Sequence, residues 1–354
     1  MRVKGEYKLD MSNFNIDKMI DKINKVKPFS GVVLVQKNDK IIFQRAYGFA
    51  NRSDEIANTI DTRFGIASGC KIFTAIAICQ LVEKGLLSFN TLLRDCLNTS
   101  FIEFDQNISI HHLLTHSSGI PDYFDEDTMT DYSTLWKDIP MYRMKNPKDF
   151  IAMFESQKMK FSPGDKFQYN NAGFILLGLI IEQLTGMHFT EYVEKNIFLP
   201  CGMYDSGYFS LDNLPKNVAY GYIKNELDGS WKTNIYSIPI IGGPDGGAFI
   251  TAPDMIKFWK GLLGCSLLSK DYVQKLTTGY ISAGDDEYYG YGIWINKRKK
   301  EIFKYHAMGG DPGVCFRSSV YPKEDIQIVV IGNKEYGAYA ITKEIESSTT
   351  LLQN

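Results

Sequence analysis

Along the chain, hydrophobic and polar positions change period in a way that divides it into blocks. Gly31 to Lys37 (GVVLVQK) and Lys40 to Tyr47 (KIIFQRAY) are β-branched runs separated by Asn38 and Asp39, which predicts two strands of a β-hairpin. From Ser68 the pattern becomes apolar on nearly every side (KIFTAIAICQLVEKG), the signature of a buried helix, and Gly85 would end it in a left-handed conformation. A second buried helix is predicted over Ala172 to Thr185 (AGFILLGLIIEQLT), stopped by Gly186. The stretch from about Leu86 to Pro215 is otherwise helical or irregular. Strand signals return at Tyr291 to Ile295, Gly313 to Tyr321 and Asp325 to Ile331, before a terminal helix near Tyr339 to Leu351. Strands at both ends with helices between them predict an α/β fold of the α+β type, in which one antiparallel sheet is assembled from both termini and carries a helical insertion.

Composition narrows the partners. Among 354 residues, Lys and Arg total 39 and Asp and Glu total 41, a net charge of -2, so no global field draws the chain to nucleic acid. The basic run Asn296 to Glu301 (NKRKKE) reads as a charged hairpin tip. No stretch reaches the ~18 apolar residues of a membrane span, and the N-terminus has no apolar run like that of a secretory leader. A cytoplasmic location is therefore expected, or an extracellular one if a leader has been removed. The six cysteines (Cys70, Cys79, Cys96, Cys201, Cys265, Cys315) form no CxxC pair and are expected to be reduced thiols.

Several reaction centres are missing: there is no GxSxG elbow, no phosphate loop, no GxGxxG after a strand and no HExxH. His112 and His116 are four apart, but with Leu113 and Leu114 between them and no adjacent Glu, packing is the better reading than metal binding. What stands out is Ser68-Gly69-Cys70-Lys71. Three residues are nearly one helical turn, about 4.5 Å of rise, so the lysine amine can reach back to the serine hydroxyl. The bland alternative is a serine cap and a lysine that snorkels to solvent. Thr251-Ala252-Pro253-Asp254 reads as a structural capping box.

The context of that motif carries a resemblance. RFGIASGCKIFTAIAICQLVEKGLLSFNTLL resembles the nucleophile segment of the serine β-lactamase and penicillin-binding-protein superfamily, in its class C and esterase branch. HHLLTHSSGIPDY, FSPGDKFQYNNAGFILLGLIIEQLTG and GGAFITAPDMIKF are similar to further segments of that branch, in the expected order over roughly residues 31 to 333. The resemblance implies an α/β part built from residues 1–66 and 216–354, a mainly helical part over 67–215, and an active site at their junction. It implies Ser68 as the acylated nucleophile, Lys71 as its proton acceptor or electrostatic partner, and Tyr169 as a phenolic base and acid whose phenolate Lys71 would stabilise. Asn171 would hold the lysine and the substrate, and could also cap the helix that follows it.

The third family motif, a Lys-Thr-Gly or His-x-Gly on a strand facing the nucleophile, departs from pattern. His306 is its natural counterpart but lies one residue too far from Pro312-Gly313; either a bulge restores it or Ala307 takes the place. Gly309 or Gly310 would supply the second oxyanion-hole N–H beside that of Ser68. The aromatic and methionine-rich segment from His116 to Lys160 would either wall the cleft or pack beneath it. The function implied is a cofactor-free, metal-free serine hydrolase acting through an acyl-enzyme on a small ester, amide, β-lactam or peptide-like substrate. The alternative is a catalytically weak relative that uses the pocket for binding or as a scaffold.

Overall fold

The computed structural model describes residues 16–97 and 101–348. After helix α1 (Ile16–Val26) comes the expected hairpin, β1 (Gly31–Lys37) and β2 (Lys40–Tyr47), with Asn38 and Asp39 both at positive φ in the turn. The helical part opens with α2 (Lys71–Glu83) and includes α3 (Asn171–Thr185); Gly85 and Gly186 have the left-handed φ, +73° and +67°, that ends each helix. Then follow α4 (Ala252–Leu263), β3 (Ile281–Gly284), β4 (Glu287–Tyr289), β5 (Trp294–Arg298), β6 (Glu301–Asp311), β7 (Val314–Tyr321), β8 (Ile326–Gly332) and α5 (Ala338–Ser348). The part of the terminal helix predicted beyond Ser348 lies outside the described residues.

The strands form one antiparallel sheet in the order β2-β1-β8-β7-β6-β5-β4-β3, so the first hairpin pairs with the last strand, Gly31 opposite Gly332. The basic run is the β5–β6 turn, with Lys299 and Lys300 at positive φ. The sequence pattern missed β3 and β4, two strands of four and three residues that are too short to show a period. Because β1 and β8 are covered on both faces, they read as continuous apolar runs. Val33, Val35, Ile328 and Val330 pack with Ile16, Ile20, Ile341 and Ile345 of α1 and α5. Val32, Leu34, Val329 and Ile331 face the larger core that contains α2, α3 and α4. There Phe73 meets Phe198 and Phe258 edge-on, at 4.9 and 5.0 Å between ring centroids.

One close approach prepares the site. A Cβ on Gly178 of α3 would lie 2.0 Å from Pro244 Cγ, so only glycine admits the loop 242–247 at that depth. Thr74 Oγ1, one turn after Lys71, donates to Pro244 O at 2.5 Å and fixes the same loop from α2.

Candidate active site

Ser68 sits in a single 3-10 turn, Ala67–Cys70, that leads into α2, and Ala67 holds a positive φ of 46°. Lys71 does not snorkel: it is 2% exposed. Its Nζ is hydrogen-bonded to Ser68 Oγ at 3.0 Å and donates to Asn171 Oδ1 at 2.7 Å and to Asp245 O at 2.7 Å. The one-turn reach between serine and lysine is thus realised, and the loop pinned by Thr74 supplies a lysine partner from a Gly/Pro-rich stretch (GGPDGG) that sequence reasoning passed over.

The two asparagines divide their work. Asn170, not Asn171, caps α3, accepting from Gly173 N at 2.7 Å. Asn171 is the first helical residue, and its side chain is left for Lys71. Asp122 fixes it: Oδ2 accepts from Asn171 N at 2.7 Å and Nδ2 at 3.3 Å, while Oδ1 accepts from Ala172 N at 3.0 Å. Burial raises the Asp122 pKa to about 7 against the pull of those N–H groups.

Tyr169 neighbours Ser68, and Lys71 Nζ lies 4.9 Å from its ring centre. The expected phenolate is not what this environment favours. Burial, reinforced by Glu126, drives the Tyr169 pKa well above its ordinary value, and the neighbouring Ser68 hydroxyl opposes this less strongly. The phenol is held protonated.

His306 is not brought into this group. It is paired with Trp294 and Ser319 on β6, 0% exposed, with Nε2 3.3 Å from Glu287 Oε1, and burial lowers its pKa to about 4. The reason is strand alternation: a Cβ on Gly309 would point at Ile66 O (2.1 Å) and Ser68 N (2.8 Å), so Gly309 and Ala307 face the nucleophile while His306 and Met308 face away. Arg317 donates to Met308 Sδ at 3.3 Å on that far side. The strand therefore runs without the bulge that would have rescued His306, and Ala307 takes the motif position. Gly309 backs directly onto the Ser68 turn, whereas Gly310 opens onto the cleft.

That cleft, about 620 Å³, is lined by Ser68 and Asn171 together with Tyr123, Phe124, Met129 and Tyr132. Of the aromatic segment, these four and Phe150 wall it, while Trp136, Met141 and Met144 are buried packing. None of its lining residues is Lys, Arg or His, but Glu126, Asp131, Asp245, Asp311 and Glu335 all contribute carboxyl groups. Tyr123 donates a short hydrogen bond to Asp245 Oδ2. Asp311 is raised to about 7, first by burial and then by the Asp245 charge. These acids come from separate loops and carry no shared motif. Among the described residues no group of His, Cys, Asp and Glu is arranged to hold a metal ion, and no single helix is long and apolar enough to cross a membrane.

A serine one turn before a buried lysine, a tyrosine and asparagine at the head of a second buried helix, and an antiparallel sheet whose glycine strand abuts the serine define the serine β-lactamase and penicillin-binding-protein class. The chain belongs to the Beta-lactamase family, whose pattern its residues 16–346 match. It is 26% identical over 342 residues to penicillin-binding protein 4* of Bacillus subtilis, covering 91% of this chain and 72% of that protein. The penicillin binding protein from Bacillus halodurans superposes with a TM-score of 0.89 at 53% identity, over 93% of this chain and 100% of that one. A D-amino acid amidase from Ochrobactrum anthropi shares the fold with a TM-score of 0.73 at 20% identity, over 94% and 99% of the two chains.

Proposed function

We propose that the protein is an acyl hydrolase that forms an ester on Ser68 from small amides or esters. The observation that carries this reading is the 3.0 Å contact between Lys71 Nζ and Ser68 Oγ at the floor of an open cleft. Asn171 Oδ1 and Asp245 O can only accept, so they take two N–H groups of the amine. In its neutral form the amine then turns its lone pair to the Ser68 hydroxyl. The serine proton passes to Lys71 as Oγ bonds the substrate carbonyl, and the developing oxyanion is met by the Ser68 and Gly310 amides. Tyr169, held protonated, gives its proton to the leaving group as that bond breaks; the proton on Lys71 then restores the phenol. Water enters by the reverse traffic and releases the acid.

The charge of the lining supports neutral or amine-bearing acyl donors over those that carry a carboxylate, because five acidic residues and no lysine, arginine or histidine line the cleft, Lys71 lying buried beneath Ser68. The test is intact mass after treatment with a fluorophosphonate, with benzylpenicillin and with an alanine p-nitrophenyl ester. A single adduct on Ser68, lost in Ser68→Ala, is expected from the fluorophosphonate and the alanine ester, with penicillin slower. No adduct from any of the three would instead favour the binding-module alternative, for which the missing strand cation speaks.

A further inference from the structure

His116 is 1% exposed and holds a positive φ of 55°, a backbone uncommon outside glycine, though histidine adopts it more readily than most side chains. Its Nε2 is buried without a hydrogen-bond partner. Two unfavourable features at one residue call for a compensating role. The residue's contacts supply one. His116 O accepts from Gln168 N at 2.9 Å, and His116 Nδ1 accepts from Asn170 N at 3.1 Å, so both neighbours of Tyr169 are tied to the same residue. Between these anchors the Tyr169 ring packs on the imidazole, 4.4 Å between centroids. Tyr289 at 4.6 Å, Phe174 at 5.0 Å and Phe167 at 5.8 Å complete an aromatic box around His116.

We propose that His116 is a positioning residue for Tyr169: it clamps the backbone on both sides of the tyrosine and gives its ring a platform, so that the phenol hydroxyl stays at Ser68. This rests on the reading of Tyr169 as the proton donor to the leaving group. For Nδ1 to accept, the imidazole must be neutral with its hydrogen on Nε2. The surroundings agree: burial lowers its pKa and the Lys71 charge lowers it further, the Asn170 N–H is donated to a lone pair that only the neutral ring has, and the other neighbours are the aromatic rings named above.

A misplaced phenol harms substrates in proportion to their need for a proton. A p-nitrophenolate leaves without one, whereas an anilide nitrogen must receive one. The experiment compares the p-nitrophenyl ester and the p-nitroanilide of alanine in wild type, His116→Phe, which keeps a ring but no acceptor, and His116→Asn, which keeps an acceptor and tolerates the left-handed backbone. His116→Phe should lower kcat on the anilide at least tenfold and on the ester less than threefold, with KM within twofold, and His116→Asn should recover part of the anilide rate. Equal losses on both substrates would show a merely structural role and overturn the proposal.

A second measurement does not depend on turnover. In protein labelled with ¹⁵N-histidine and ¹³C-tyrosine, His116 should stay in the neutral Nε2–H form from pH 5 to 8, and the Tyr169 phenolic carbon should move in whichever variant folds. An Nδ1–H tautomer, or a Tyr169 signal unchanged by substitution at His116, overturns the proposal even if the protein hydrolyses neither substrate. Wild type that is inert to both substrates and unlabelled by fluorophosphonate would sink the hydrolase reading alone.

Discussion

Asp122 accepts from the backbone N–H of Asn171 at 2.7 Å and from its side-chain amide at 3.3 Å. Since the amide nitrogen faces Asp122, the carbonyl oxygen must face Lys71, and the orientation of the catalytic lysine depends on a carboxylate that does not touch Ser68. Asp122→Ala leaves the first amides of α3 unpartnered and leaves the Asn171 amide nitrogen oriented only by its 3.4 Å contact with Phe124 O. The expected result is a loss of about 2 kcal/mol in stability, the usual cost of removing a buried charged acceptor, with fluorophosphonate labelling of Ser68 slowed at least tenfold. Labelling at the wild-type rate in a folded variant would show that Asn171 needs no such support.

Gly309 and Gly310 are adjacent on β6 and should respond in opposite ways. A Cβ on Gly309 meets backbone on every side, at 2.1 Å from Ile66 O and 2.8 Å from the amides of Ser68 and Gly69, whereas a Cβ on Gly310 meets nothing within 4 Å. Gly309→Ala should therefore push the strand from the Ser68 turn, costing about 1–3 kcal/mol as overpacking does and most of the acylation rate. Gly310→Ala should unfold within a degree or two of wild type. Thermal unfolding of the two variants side by side decides the point, and equal melting temperatures would contradict the packing.

Much of this was legible in the sequence because it is local. The hairpin, the two apolar helices and the Ser68–Lys71 spacing each depend on residues within one turn or one strand, where period and reach are set by covalent geometry. Tyr169 and Asn171 were found through the segments they share with the family. His306 was misplaced because a strand slipped by one residue turns every side chain to the other face, and sequence spacing alone left that register open. The Asp245 carbonyl on Lys71 and the acids Glu126 and Asp311 were invisible for another reason: they meet only when distant loops close on the cleft. The phenolate expected at Tyr169 failed likewise, since the depth of burial and the nearness of Glu126 belong to the assembled site.

Lys71 and Tyr169 work in one relay, the lysine restoring the proton that the tyrosine gives up, so their removal should not be additive. Lys71→Ala and Tyr169→Phe should each lower the acylation rate by about a hundredfold or more, within the range of general acid–base catalysis. The double variant should lie close to the worse of the two. Rate losses that simply multiply, measured by single-turnover acylation with the alanine p-nitroanilide, whose leaving nitrogen needs the proton, would show two independent groups.

Asp311 gives the site a pH dependence whose sign can be worked out. Its pKa is raised from 3.8 to about 7 in the folded chain, by burial and by Asp245. Below pH 3.8 it is protonated folded or unfolded; between there and about 7 only the folded chain keeps the proton. The stability this contributes is complete at low pH and is lost as pH rises through about 7. Asp311→Asn, which mimics the protonated acid, should melt a few degrees above wild type at pH 8 and show no such advantage near pH 4. The same ionisation makes the cleft more attractive to a cation. Betaine p-nitroanilide and its neutral isostere, the 3,3-dimethylbutyric anilide, differ only in a permanent charge. Their kcat/KM ratio should rise between pH 6 and 8 in wild type and fall about fivefold in Asp311→Asn at pH 8, the worth of roughly 1 kcal/mol for a partly solvated charge pair. A ratio that is flat with pH and unchanged by the substitution would remove Asp311 from substrate selection and leave the cleft's acidity without a bearing on what it binds.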